Sequence, residues 1–100
     1  MRVIFVSGPY RGNVEPNIIK ARRVAVMLWQ QGWAVFCPHT NTANFDGECP
    51  DDVWLKGDIE ILKRCDAIYM MSTWRESKGS QEEYRIAREL GKEIIFQNPL

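Results

Sequence analysis

Nowhere in the 100 residues does an apolar run approach the roughly 20 residues of a membrane-spanning helix, so no membrane partner is expected. An excess of charge of one sign is missing too. The 13 lysines and arginines balance 13 aspartates and glutamates, which leaves no electrostatic footprint for general binding to nucleic acid or lipid. A small molecule is the expected partner. Cysteine is scarce: Cys37, Cys49 and Cys65 are odd in number and widely spaced, which suits reduced thiols rather than a disulfide framework. Histidine occurs once, as His39. Beside Cys37 it reads either as the start of a metal site or as a loop histidine next to a buried thiol. No second pair of ligands at zinc spacing completes a site, so no metal is expected. The chain lacks both GxxxxGK[ST] and GxGxxG, the signatures of ATP hydrolysis and dinucleotide redox chemistry, and no cofactor is expected. The first residues run into Val3–Val6 without the apolar core and cleavage site of a signal peptide, so the expected location is the cytoplasm.

Apolar residues make up 45% of the chain, without internal repeats or linkers. A length of 100 residues suits one core, so residues 1–100 are expected to form a single domain. The apolar period alternates along it. Val3–Val6 is a short β-rich run closed by Ser7-Gly8-Pro9, and a helical pattern follows from about Pro16 to Gln31 with Ile18, Ala21, Ala25 and Leu28 on one face. Trp33–Cys37 reads as a second strand and His39–Pro50 as a long polar loop. Asp51 or Asp52 is expected to cap a helix to about Arg64. Ala67–Met71 is then a third strand, Ser80 opens a helix ending near Gly91, and Glu93–Phe96 is the last strand. Strands alternating with helices predict right-handed βαβ crossovers. The expected fold is an α/β three-layer sandwich with a small parallel sheet of order 2-1-3-4, flavodoxin-like or Rossmann-like. Ligands of such sheets bind beyond the carboxyl ends of the strands, where the order reverses.

Three segments should meet at that crevice: Ser7 to Gly12, His39 to Gly47 and Ser72 to Ser80. Gly8 allows close backbone approach and Arg11 suits a phosphate or carboxylate, unless the segment is only a tight turn. Ser77-Lys78-Gly79-Ser80 leads into a helix whose N-terminus favours an anion, and Ser80 is either part of that site or simply the N-cap. The phase of two carboxylates is more specific. Glu83 shares a helix face with Ile86, Ala87 and Leu90, whereas Glu82 lies with Arg85 and Glu89 on the wet side. Asp58 likewise falls in phase with Trp54, Ile61, Leu62 and Cys65. Acids on apolar faces serve either structural bonds or a functional cleft.

Ser7-Gly8-Pro9-Tyr10-Arg11-Gly12, the stretch from Asp58 to Cys65-Asp66-Ala67, and Ser77-x-Gly79-x-x-x-Glu83-x-x-x-Ala87 resemble the nucleoside 2-deoxyribosyltransferase superfamily. That superfamily includes 2′-deoxynucleoside 5′-phosphate N-hydrolases and many short bacterial and phage members. The resemblance implies that Glu83 is the nucleophile at the sugar, Asp58 its acid–base partner, and Ser77 a contact of the 5′-phosphate, with the Gly8–Arg11 turn facing the ligand. Phe5 stands where the hydrolases carry a first-strand tyrosine, and Tyr10 offers a hydroxyl nearby.

The implied activity is cleavage or transfer of the N-glycosidic bond of a nucleoside or nucleoside 5′-monophosphate. Arg11, Ser77, Gly79 and Ser80 would take the phosphate, Tyr10, Phe45 and Trp74 would stack on the base, and Asn41 or Asp46 would contact base or ribose hydroxyls. The implied assembly is a homodimer or higher homo-oligomer, because the family completes its sites across a subunit interface. Two other readings differ in class: a non-catalytic module that binds or senses nucleotides, and phosphoryl transfer, which would require a P-loop or a magnesium site.

Overall fold

The computed structural model describes residues 1–98; Pro99 and Leu100, the last of the expected 1–100 unit, lie outside the described residues. Strand β1 (Val3–Ser7) is followed by helix α1 (Val14–Gln30) and strand β2 (Ala34–Phe36). Helix α2 (Pro38–Asn41) and helix α3 (Asp51–Lys63) precede strand β3 (Ala67–Met70). A single 3₁₀ turn (Trp74–Glu76), helix α4 (Lys78–Glu89) and strand β4 (Glu93–Phe96) complete the order.

The four strands pair in parallel in the order β2-β1-β3-β4, as the alternation of periods predicts. Residues 4–7 of β1 and all of β3 are buried. Strands covered on both faces read as continuous apolar runs, as Val3–Val6 does. Successive side chains point to opposite faces. Ile4, Val6, Ala67 and Tyr69 therefore pack with Ala21, Val24 and Leu28 of α1. Phe5, Ile68 and Met70 pack on the other side with Leu62 of α3 and Ala87 of α4. The result is three layers.

Local details depart from the sequence reading at three helix ends. Part of the His39–Pro50 segment is helical: Pro38 opens the single turn α2, where its missing N–H costs nothing. The N-cap of α3 is Pro50, and Asp51 and Asp52 lie inside the first turn, where their charge faces the helix's positive end. Helix α4 begins before Ser80: Ser77 is the N-cap, its Oγ accepting from Ser80 N at 3.1 Å. Leu90, expected on the apolar face of α4, is its exposed C-cap residue.

Candidate active site

The strand order reverses between β1 and β3, and the chains leaving their carboxyl ends part there. Gly8 makes the exit of β1 possible. A Cβ on it would stand 2.4 Å from Met71 Sδ and 3.0 Å from Met71 Cβ, so only hydrogen fits against the residue that follows β3. Beyond this edge lies a cavity of about 520 Å³, lined by the loop after β1, by α2 and the segment after it, and by one face each of α3 and α4.

Glu83 enters this cavity from α4. It is 8% exposed, and the hydroxyl of Ser7 donates to its Oε1 at 2.6 Å. Burial pushes the Glu83 carboxyl up to about 8, against the Ser7 hydrogen bond, which favours the ionised form; the nearby charge of Asp58 adds to the rise. Asp58 enters from α3 and is half-buried, and burial raises it to about 6. The neighbouring Glu82 is exposed and bound to Arg85, whose hydrogen bond holds its carboxyl below the usual range. The helix phase thus separates two adjacent glutamates as the sequence pattern predicts.

Of the residues singled out in the sequence, Gly8, Tyr10, Arg11, Asp46, Asp58, Ser77, Gly79, Ser80 and Glu83 all line the cavity. Ser7 reaches it through Glu83. Asn41 is not brought in: it is exposed at the end of α2, and Thr42 stands in the wall instead. Trp74 is buried in the core against Tyr84, with ring centroids 4.7 Å apart, and Phe45 leans on Trp54 at 5.9 Å. Neither residue lines the cavity. Side chains of this size find their largest apolar contact wherever the fold provides it, which a local pattern does not specify.

Arg11 is already engaged, with Nη1 3.4 Å from Asp46 Oδ2 and Nη2 2.5 Å from Asp51 Oδ1. Tyr10 Oη also donates to Asp46, at 2.6 Å. These contacts tie the first loop to the segment after α2 and to the start of α3.

His39, which the sequence offers either as the start of a metal site or as a loop histidine beside a thiol, is buried and lines the cavity. Its Nε2 lies 3.0 Å from the carbonyl oxygen of Gly8 and 2.9 Å from that of Pro9. Carbonyls only accept, so Nε2 carries the proton and clamps the first loop. Its Nδ1 faces Cys37 Sγ at 3.9 Å, and burial lowers the histidine and raises the thiol. Among the described residues no three His, Cys, Asp or Glu side chains group as a metal ion would require, and no helix is long and apolar enough to cross a membrane.

No curated protein sequence matches the chain. Solved structures do. The 2-desoxiribosyltransferase from Leishmania mexicana superposes with a TM-score of 0.72 at 20% identity, over 96% of this chain and 63% of that one. The 2-deoxyribosyltransferase from Bacillus psychrosaccharolyticus gives a TM-score of 0.74 at 20% identity, over 94% of this chain and 70% of that one. The chain therefore spans somewhat under two thirds of the length of the first, and at this identity the likeness is one of fold. Residues 2–96 match the family described as "Domain of unknown function (DUF4406)", and the chain, folded as the nucleoside 2-deoxyribosyltransferases are, belongs to that family.

Proposed function

We propose that the protein breaks the N-glycosidic bond of a nucleoside or nucleoside 5′-monophosphate, passing the sugar to water or to a second base. The observation that carries this reading is the pair of carboxyl groups, Glu83 and Asp58, each raised by burial and facing one cavity at the switch point of a deoxyribosyltransferase-like sheet. Glu83 attacks the anomeric carbon while the carbon–nitrogen bond breaks, and Asp58 donates a proton to the departing base. Asp58 then takes a proton from the incoming water or base, which displaces Glu83. Two carboxylates with divided roles are the logic of retaining glycoside cleavage. The Ser7 hydroxyl holds the Glu83 carboxylate in line. In this reading Tyr10 and Asp46 face the base or ribose, while Gly79, Ser77 and Ser80 at the start of α4 receive the 5′ end.

The proposal includes one catalytic unit over residues 1–100, acting in the cytoplasm as a homodimer. The exposed Ile19, Val26 and Trp29 on one face of α1 support a self-association surface. The test of activity is a screen of nucleosides and their 5′-monophosphates for free base by chromatography, with and without an acceptor base. Free base from wild type but not from Glu83→Ala supports the assignment, and undiminished release by the variant refutes it.

One observation favours a second reading, a binding or sensing module. A carboxyl raised to about 8 is mostly protonated at neutral pH and is then no nucleophile. Saturable binding of a nucleoside with no base released at any pH up to 9 would establish that alternative.

A further inference from the structure

Two polar atoms in the wall of the cavity lack a protein partner. Among the described residues, Trp54 Nε1 and Ser80 Oγ are the buried side-chain atoms without a hydrogen bond. Both residues line the cavity that Glu83 and Asp58 face. Ser80 is 2% exposed, and its backbone N–H already has the Ser77 hydroxyl, so its own hydroxyl has no part in capping the helix. Buried polar groups are nearly always paired, and one left unmade costs about 1–3 kcal/mol. Ligand cavities carry a few placed polar groups among apolar lining, and a ligand seated here could supply the missing partners.

Their positions correspond. Trp54 lies four residues before Asp58 on α3, and Ser80 three before Glu83 on α4. Each is about one helical turn, roughly 4.5–6 Å along the axis, from the acidic residue on its own helix. We propose that Trp54 is a specificity-determining residue, its indole N–H donating to a ring nitrogen or carbonyl oxygen on the base of an uncharged nucleoside. This rests on the glycosidic-bond reading and narrows it.

An indole nitrogen only donates, so the ligand must offer an acceptor. Charge argues against a phosphate there. Asp46 and Asp51 line the cavity and already bind Arg11, and among the described residues the other lining cation is Lys78, against Asp46, Asp51, Asp58 and Glu76 as carboxylates and a mostly neutral Glu83. A phosphate dianion would meet net repulsion; a neutral base would not. The ring of Phe45, 5.9 Å from that of Trp54, holds the indole from outside the cavity. Ser80, on the facing helix, is left for the sugar.

The test is calorimetric titration of wild type and Trp54→Phe with purine and pyrimidine nucleosides, their 5′-monophosphates, and deaza analogues in which a C–H replaces one ring nitrogen. Wild type is expected to bind a nucleoside about tenfold more tightly than the variant does, and about tenfold more tightly than it binds the analogue lacking the acceptor. The variant should not distinguish nucleoside from analogue. Equal affinity of the two proteins for every nucleoside bound overturns the role of Trp54 and leaves the glycosidic-bond reading standing. Tighter binding of the monophosphates overturns the choice of an uncharged ligand. Wild type that binds neither class overturns both readings. Should Trp54→Phe fail to fold, discrimination by wild type decides alone, and no preference over any analogue or carbonyl-free base defeats the proposal.

Discussion

Ser7 Oγ donates to Glu83 Oε1 across 2.6 Å, joining the last residue of β1 to α4 over a separation of 76 residues. The bond acts against the surroundings. Burial favours the neutral acid, whereas a donated hydrogen bond favours the carboxylate, and burial is the larger effect. At neutral pH the carboxyl is therefore mostly in its neutral form, with one hydrogen-bond donor in place to hold the carboxylate when it ionises.

If Glu83 is the nucleophile of the proposed reaction, Glu83→Gln and Glu83→Ala should each lower base release at least about a thousandfold, since each removes the atom that would attack. Glu82→Gln, on the exposed side and bound to Arg85, should retain activity within about threefold. Initial rates of free base formation, with far-ultraviolet circular dichroism to confirm folding, check both.

Ser7→Ala takes away the one contact that lowers the Glu83 carboxyl. A hydrogen bond to a charged group contributes about 1.5–3 kcal/mol, so the rising limb of kcat/KM against pH should move up by roughly one unit or more. A profile from pH 6 to 10 measures the displacement, and an unmoved limb would separate Ser7 from the ionisation of Glu83.

Stability should fall as pH rises. Folded Glu83 keeps its proton to about pH 8 and unfolded Glu83 loses it near 4.5, so between these values the folded chain binds more protons. The stabilisation is complete below the unfolded value and is lost as pH passes through the folded one. Asp58 acts in the same sense between 3.8 and about 6. Glu83→Gln lacks the larger effect, and in urea denaturation it should exceed wild type by about 2–4 kcal/mol at pH 9, the difference shrinking toward pH 5.

Gly8→Ala should destabilise the fold by about 1–3 kcal/mol, because the added methyl meets the buried Met71 at 2.4 Å. Its cost should be smaller in a Met71→Ala background, a coupling that a double-mutant cycle in thermal denaturation would detect.

What the order of residues determined by itself was periodic. Alternating strand and helix patterns, with Gly32 and Gly91 at positive φ just past α1 and α4, specify a parallel sheet in the order observed. The helical period likewise separates Glu83 from Glu82 and turns Asp58 inward, because which face of a helix is buried follows from spacing alone. Tertiary structure decided the pairings. That Arg11 meets Asp51, that Ser7 meets Glu83, that His39 clamps Gly8 and Pro9, and that Trp74 joins the core while Trp54 lines the cavity with its buried N–H unpaired depends on contacts between distant segments. Periodicity orients a side chain relative to its own element. Only the docking of elements determines what it meets, since side chains of one chemical type compete for the same partners and packing selects among them.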